Sequence, residues 1–145
     1  MKRRTVFAAT VLLIASSPLA YATTMRHVAW DGMVLGKEGS KIRGLAEMVG
    51  GKTKGTTAVS VSYKGDTPGA RRPWHVHIGS CKKGGAVLGG ATSYAPLTAS
   101  ATGTAESKAT LRLALPDSGE FYVNIHESPT TMGKVIACGD LLLED

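Results

Sequence analysis

Beyond Ala22 the chain has no long apolar run, and with that absence goes any comfortable helical membrane span. It has no G-x-S-x-G, and its glycines form no complete G-x-x-x-x-G-K-[ST] loop, which excludes the usual acyl-transfer elbow and the phosphate-cradling P-loop. No extended basic run follows the first residues, so nucleic acid is not an expected partner. Cysteine is scarce, with two residues, and histidine nearly so, with four. Sustained 3.6-residue periodicity is missing as well, which argues against a helical fold.

What stands at the start is a leader. Lys2, Arg3 and Arg4 form a basic head, Val6 to Ala15 an apolar stretch, and Ala20-Tyr21-Ala22 an A-x-A cleavage site. The expected arrangement is a signal peptide over residues 1–22 and a single domain over residues 23–145. No cysteine follows the small residues of the leader, so no lipid anchor is expected. Taking the three leader cations from the formal charge of +6 leaves +3, a mild excess compatible with weak attraction of small anions. Export places the protein in the periplasm or outside the cell, an oxidising setting. Two cysteines there read as one disulfide, Cys81–Cys138, the alternative being two buried free thiols.

The mature chain alternates apolar and polar residues with period two, broken by glycine-rich turns. Val59, Val61 and Tyr63 oppose Ala58, Ser60 and Ser62; Ala46 and Met48 oppose Arg43, Leu45 and Glu47. Further strands are predicted over 27–35, 107–115, 120–126 and 135–143, with Asp31-Gly32 a bulge or turn. Pro116-Asp117-Ser118-Gly119 is turn chemistry, and it predicts a hairpin between the strands on either side. Residues 82–90 read as a surface loop. Seven or eight short antiparallel strands at this spacing imply an all-β Greek-key barrel or sandwich.

Three of the four histidines fall in two of these strands. In Pro73-Trp74-His75-Val76-His77-Ile78-Gly79, His75 and His77 share one face, and Trp74, Val76 and Ile78 share the other. In Phe121-Tyr122-Val123-Asn124-Ile125-His126, the third histidine lies on the polar face with Tyr122 and Asn124. Cys81 follows His77 by four residues and Cys138 follows His126 by twelve, so a bridge would tie the two segments together. Three imidazoles without an acidic neighbour suit copper or zinc, and three protein donors leave an open coordination position. His27 is a candidate fourth ligand, and Met25, Met33 and Met132 are soft donors that favour cuprous ion or simply pack. Glu127 and Asp140 are candidates for orienting an imidazole, or else plain exposed acids. An H-x-H pair also occurs by chance in sheets, and the plainer alternative is that these histidines are surface polar residues.

His75-Val76-His77, Cys81, Asn124-Ile125-His126-Glu127 and Ala137-Cys138-Gly139-Asp140 together resemble copper/zinc superoxide dismutase. The stretch is similar also to the CHRD domain, an all-β module whose strands end in sequences like Tyr122-Val123-Asn124-Ile125-His126. The resemblance spans roughly residues 40 to 143 and is densest over 73–81 and 121–139. It implies a dismutase-like Greek-key fold, copper held by His75, His77 and His126, and an intrasubunit Cys81–Cys138 disulfide. The chain departs from the dismutase pattern in two places: no histidine lies between Cys81 and Pro96, so the metal-bridging His and the zinc ligands are missing. Val135-Ile136-Ala137 also stands where the family's active-site Arg precedes the last Cys. The expectation is therefore a copper-binding exported protein without zinc. It handles copper or acts on superoxide at reduced rate, the alternative being a CHRD-type interaction module stabilised by its disulfide.

Overall fold

A computed structural model describes residues 29–144; the leader and His27 lie outside them. The strands are β1 (Ala29–Gly36), β2 (Arg43–Gly50), β3 (Thr57–Lys64), β4 (Arg71–Arg72), β5 (Trp74–Ile78), β6 (Leu97–Thr98), β7 (Ala105–Leu111), β8 (Phe121–His126) and β9 (Val135–Glu144). Among the described residues the one helical element is a 3₁₀ turn at Ala91–Ser93. Seven strands form one antiparallel sheet in the order β5-β8-β9-β1-β2-β3-β7, curled into a half-barrel. The two remaining strands, β4 and β6, pair with each other; β4 runs into β5 and β6 lies beside β7, so this ribbon spans the gap between the sheet edges. The all-β class and the antiparallel barrel-like architecture expected from the alternation are both present.

Period two decides which side chains enter the curl. Val34 of β1, Ala46 and Met48 of β2, Val59 and Val61 of β3, Leu111 of β7, Trp74 and Val76 of β5, and Val123 and Ile125 of β8 form one buried cluster. Each large aliphatic side chain withdrawn from water there contributes about 1.5–3 kcal/mol before entropy is counted. Trp74 is fully buried, and its indole N–H is satisfied by the Ala95 carbonyl at 2.8 Å.

The hairpin predicted across Pro116–Gly119 does not form. β7 pairs with β3 at one edge of the sheet, whereas β8 lies between β5 and β9 near the other. The intervening segment crosses one end of the curl, a Greek-key connection, and is pinned from below. Trp30 donates its indole N–H to the Pro116 carbonyl at 2.8 Å, and Thr57 donates its hydroxyl to the Leu113 carbonyl at 2.9 Å. Trp30 also meets Phe121 edge-to-face at 4.9 Å, so the same side chain seats both the connection and the strand that follows it. Turn residues specify that the chain bends; they do not specify which strand it meets afterwards.

Asp31-Gly32 makes neither turn nor break, since β1 runs through it. Gly32 is required for a different reason: a Cβ there would meet the Asp140 carbonyl oxygen of β9 at 2.1 Å. At this point β1 and β9 approach too closely for any side chain between them.

Candidate metal centre

The ladder between β5 and β8 assembles the histidines. His75 lies opposite Asn124 and His77 opposite Tyr122, while the His126 N–H donates to the Pro73 carbonyl at 2.8 Å. His126 is therefore the diagonal neighbour of His75 on the same face, within reach of a ring. From the sequence, the disulfide is the expected cause of this closeness. Direct strand pairing produces it, and the disulfide performs another task.

All three rings are buried, as is every residue of β8 on both of its faces. One ring nitrogen from each histidine lies within 4.8 Å of the other two, and no carboxylate or thiol joins them. Nδ1 of His75 faces Nε2 of His126 at 3.3 Å. Nδ1 of His77 lies 3.0 Å from the Gly85 carbonyl oxygen, which can only accept, so that nitrogen carries the proton and Nε2 the lone pair. Nε2 of His77 is buried without a partner, as is Nδ1 of His126. Unsatisfied buried nitrogens cost free energy in a metal-free protein, and the unpartnered lone pair on Nε2 of His77, beside two other imidazoles, suits a cation.

Electrostatics favours the neutral, metal-competent form. Burial, reinforced by repulsion from the His126 and His77 rings, lowers the His75 pKa to about 4. Burial also lowers that of His126, with His77 adding to the effect. The Met132 backbone acts in the opposite direction, although its approach falls short of hydrogen-bond geometry.

The covering layer is the part the sequence did not reveal. Residues 82–90 form the expected surface loop, mostly exposed, and also run along the free edge of β5: the Ile78 N–H donates to the Ala86 carbonyl at 2.9 Å and the Leu88 N–H to the Val76 carbonyl at 2.8 Å. Leu88 is buried, and its carbonyl accepts the Tyr94 hydroxyl at 2.8 Å. Tyr94 then meets His75 edge-to-face at 5.2 Å, and Tyr122 stacks on His77 at 5.0 Å. Tyr122 was visible in the sequence as a same-face neighbour of His126. The Gly85 carbonyl carried no side-chain signal at all.

Cys81 and Cys138 are joined, with Cα atoms 6.0 Å apart. The bridge fastens the start of the covering loop to β9, and Asp140 adds to it by accepting the Cys81 N–H at 2.7 Å. Asp140 thus anchors the loop and orients no imidazole. Glu127 is a half-buried acid paired with Lys134 at 2.6 Å and likewise plays no part in orienting a ring.

Beneath His126 lies a second support. Arg72 makes a two-pronged contact with Asp66, Nε to Oδ2 at 2.9 Å and Nη2 to Oδ1 at 2.7 Å, while its Nη1 donates to the Glu127 carbonyl. Tyr63 donates its hydroxyl to Asp66 Oδ2 at 2.8 Å. Burial pushes the Asp66 carboxyl up, but the Arg72, Tyr63 and Thr67 hydrogen bonds outweigh it and hold the group below its ordinary range. The guanidinium fixes the backbone just after His126 and leaves no free fork for an anion.

The donor set fits a metal that accepts neutral nitrogen: three buried imidazoles, with the His77 tautomer fixed by a carbonyl and its Nε2 left unpartnered. His27, the candidate fourth ligand, lies outside the described residues. No helix among the described residues is long and apolar enough to cross a membrane. Compared with models of known protein families and with curated protein sequences, the chain matches none.

Proposed function

We propose that this chain is an exported copper-binding protein, with His75, His77 and His126 as the protein ligands and no zinc. The observation that carries the reading is the convergence of three buried imidazoles with no carboxylate among them. Nitrogen-only donor sets suit copper, which stands above zinc in the divalent affinity order. Nδ1 of His75, Nε2 of His77 and Nε2 of His126 are the nitrogens that would hold the ion. Bound there, copper supplies one-electron redox chemistry, which is the basis for superoxide as a candidate substrate.

The protein's own residues favour holding the ion over rapid turnover. Tyr94, Tyr122 and the 82–90 loop screen the rings from water, and the Arg72 guanidinium, which reaches the backbone just after His126, is engaged by Asp66 and the Glu127 carbonyl. Lys134, whose backbone pairs with Glu127 next to His126, is likewise engaged by the Glu127 carboxylate. Handling of copper is accordingly the primary role and dismutation a slow secondary one. Export to the periplasm or beyond agrees with the leader and with a disulfide that needs an oxidising compartment.

Dialysis of protein loaded with equimolar copper and zinc, followed by elemental analysis, tests the reading. Retention of one copper per chain is the expected result. Retention of zinc would replace copper by zinc, and retention of neither would leave the CHRD-type structural module. Superoxide turnover near the diffusional ceiling of about 10⁹ M⁻¹s⁻¹ would reverse the ranking of binding over catalysis.

A further inference from the structure

Three oxidisable aromatic side chains surround the imidazoles, and they differ in what holds their polar hydrogen. Trp74 is fully buried, and its N–H is taken by the Ala95 carbonyl. Tyr94 stands edge-on to Trp74 at 5.1 Å and to His75 at 5.2 Å; it too is buried, and it donates its hydroxyl to the Leu88 carbonyl.

Tyr122 is placed otherwise. Its ring lies 23° from parallel with that of His77, centroids 5.0 Å apart, so the two π-systems meet face to face. The residue is 2 % exposed, yet its hydroxyl end comes out beside the exposed Gly84, where a Cβ would stand 4.0 Å from the oxygen. The hydroxyls of Tyr63 and Tyr94 are held by Asp66 and by the Leu88 carbonyl; that of Tyr122 has no such acceptor among the described residues. Nor is it one of the sealed, unpartnered polar atoms, which are Nε2 of His77 and Nδ1 of His126, so it meets water. Loss of an electron makes a phenol strongly acidic, and a tyrosine is oxidised where its proton can leave. Water can take the proton of Tyr122. A buried carbonyl cannot carry off that of Tyr94, and a charge left on either Tyr94 or Trp74 would be stranded in an apolar interior.

We propose that Tyr122 is a one-electron donor to the His75–His77–His126 site, with hydrogen peroxide as the oxidising substrate. The inference rests on the copper reading above. Peroxide takes one electron from cuprous ion and one from Tyr122, together with the phenolic proton and one proton from solvent. The O–O bond breaks, two waters leave, and cupric ion and a neutral tyrosyl radical remain. Without a donor stacked on His77, the same oxidising equivalent falls on the imidazole itself. Tyr122 thus spares the ligand it covers.

Electron paramagnetic resonance tests this. Copper-loaded, disulfide-intact protein is reduced with ascorbate under nitrogen, freed of ascorbate, mixed with hydrogen peroxide and frozen. A tyrosyl signal is expected, narrowed in protein grown on ring-deuterated tyrosine. Measured per copper retained, the signal should be lost in Tyr122→Phe and kept in Tyr94→Phe. Phenylalanine preserves an aromatic ring against His77, so a merely structural role would leave the signal in place. Mass spectrometry of the same samples should find more oxidised His77 in Tyr122→Phe than in the unaltered protein. Copper-retaining protein that gives no tyrosyl signal, or a signal that survives Tyr122→Phe, would overturn the proposal and leave the copper reading standing. Protein that keeps no copper through dialysis would overturn both.

Discussion

Nδ1 of His77 donates to the Gly85 carbonyl, 3.0 Å away, and this one bond fixes which nitrogen of the ring is free to bind. Gly85 is placed for the purpose: a Cβ on it would meet the Ile78 carbonyl oxygen at 1.7 Å, so only glycine lets the loop lie this close to β5. The carbonyl orients the ring as a carboxylate does in many metal sites.

Gly85→Ala should therefore move the carbonyl off His77 while the strands persist. Copper affinity is expected to fall roughly 10- to 100-fold, the usual effect of losing an orienting partner. Competition against a chelator of known affinity measures it. Affinity within twofold of the unaltered protein would remove the Gly85 carbonyl from the site.

Replacing His126 separates binding from stability. His126→Leu should abolish most copper retention and yet leave the metal-free protein as stable as before, or more so. The substitution removes a buried nitrogen that has no partner and keeps apolar volume in its place. Thermal unfolding with and without copper checks this; the copper-dependent rise in Tm should vanish. Unchanged copper affinity and spectrum in the variant would dismiss the three-histidine site.

Acid should destabilise the metal-free protein over a defined window. His75 titrates near 6.5 when unfolded and at about 4 when folded, because burial and the neighbouring rings disfavour its charge. The unfolded state therefore binds the proton first as pH falls. Stability contributed by this group is intact above about pH 6.5 and lost progressively down to about 4, to a total of at most about 3 kcal/mol. The lowered pKa of His126 acts in the same direction. Urea unfolding at a series of pH values tests the sign: stability rising as pH falls from 6.5 to 4 would contradict the burial of these rings.

The disulfide should leave no thiol titratable in unfolded, unreduced protein. Its span of 57 residues corresponds to about 4 kcal/mol in the loop-entropy treatment. Reduction should lower Tm accordingly. It should weaken copper binding as well, since Cys81 tethers the loop that carries Gly85. Two titratable thiols, or equal copper affinity in reduced protein, would contradict this coupling.

Alternation along the chain was enough to identify Val59, Val61 and Tyr63 as inward and Arg43, Leu45 and Glu47 as outward, because side-chain direction in a strand is a local property with period two. The same periodicity placed His75 and His77 on one face, and the presence of only two cysteines identified the Cys81–Cys138 pair. Pairing was another matter. Pro116–Gly119 looks the same whether it closes a hairpin or crosses the barrel end, and the choice fell to Trp30 and Thr57, more than fifty residues away, which hold that connection. Burial of the histidine face was equally illegible. A polar row of His, Tyr and Asn reads as a solvent face, and only the return of residues 82–90 along β5 turns it into an interior. The backbone group that settles the His77 tautomer belongs to a residue with no side chain. Local sequence thus determined the strands, their faces and the candidate ligands. Tertiary structure decided which strands meet and what covers them, because those outcomes depend on contacts between residues that the linear order keeps far apart.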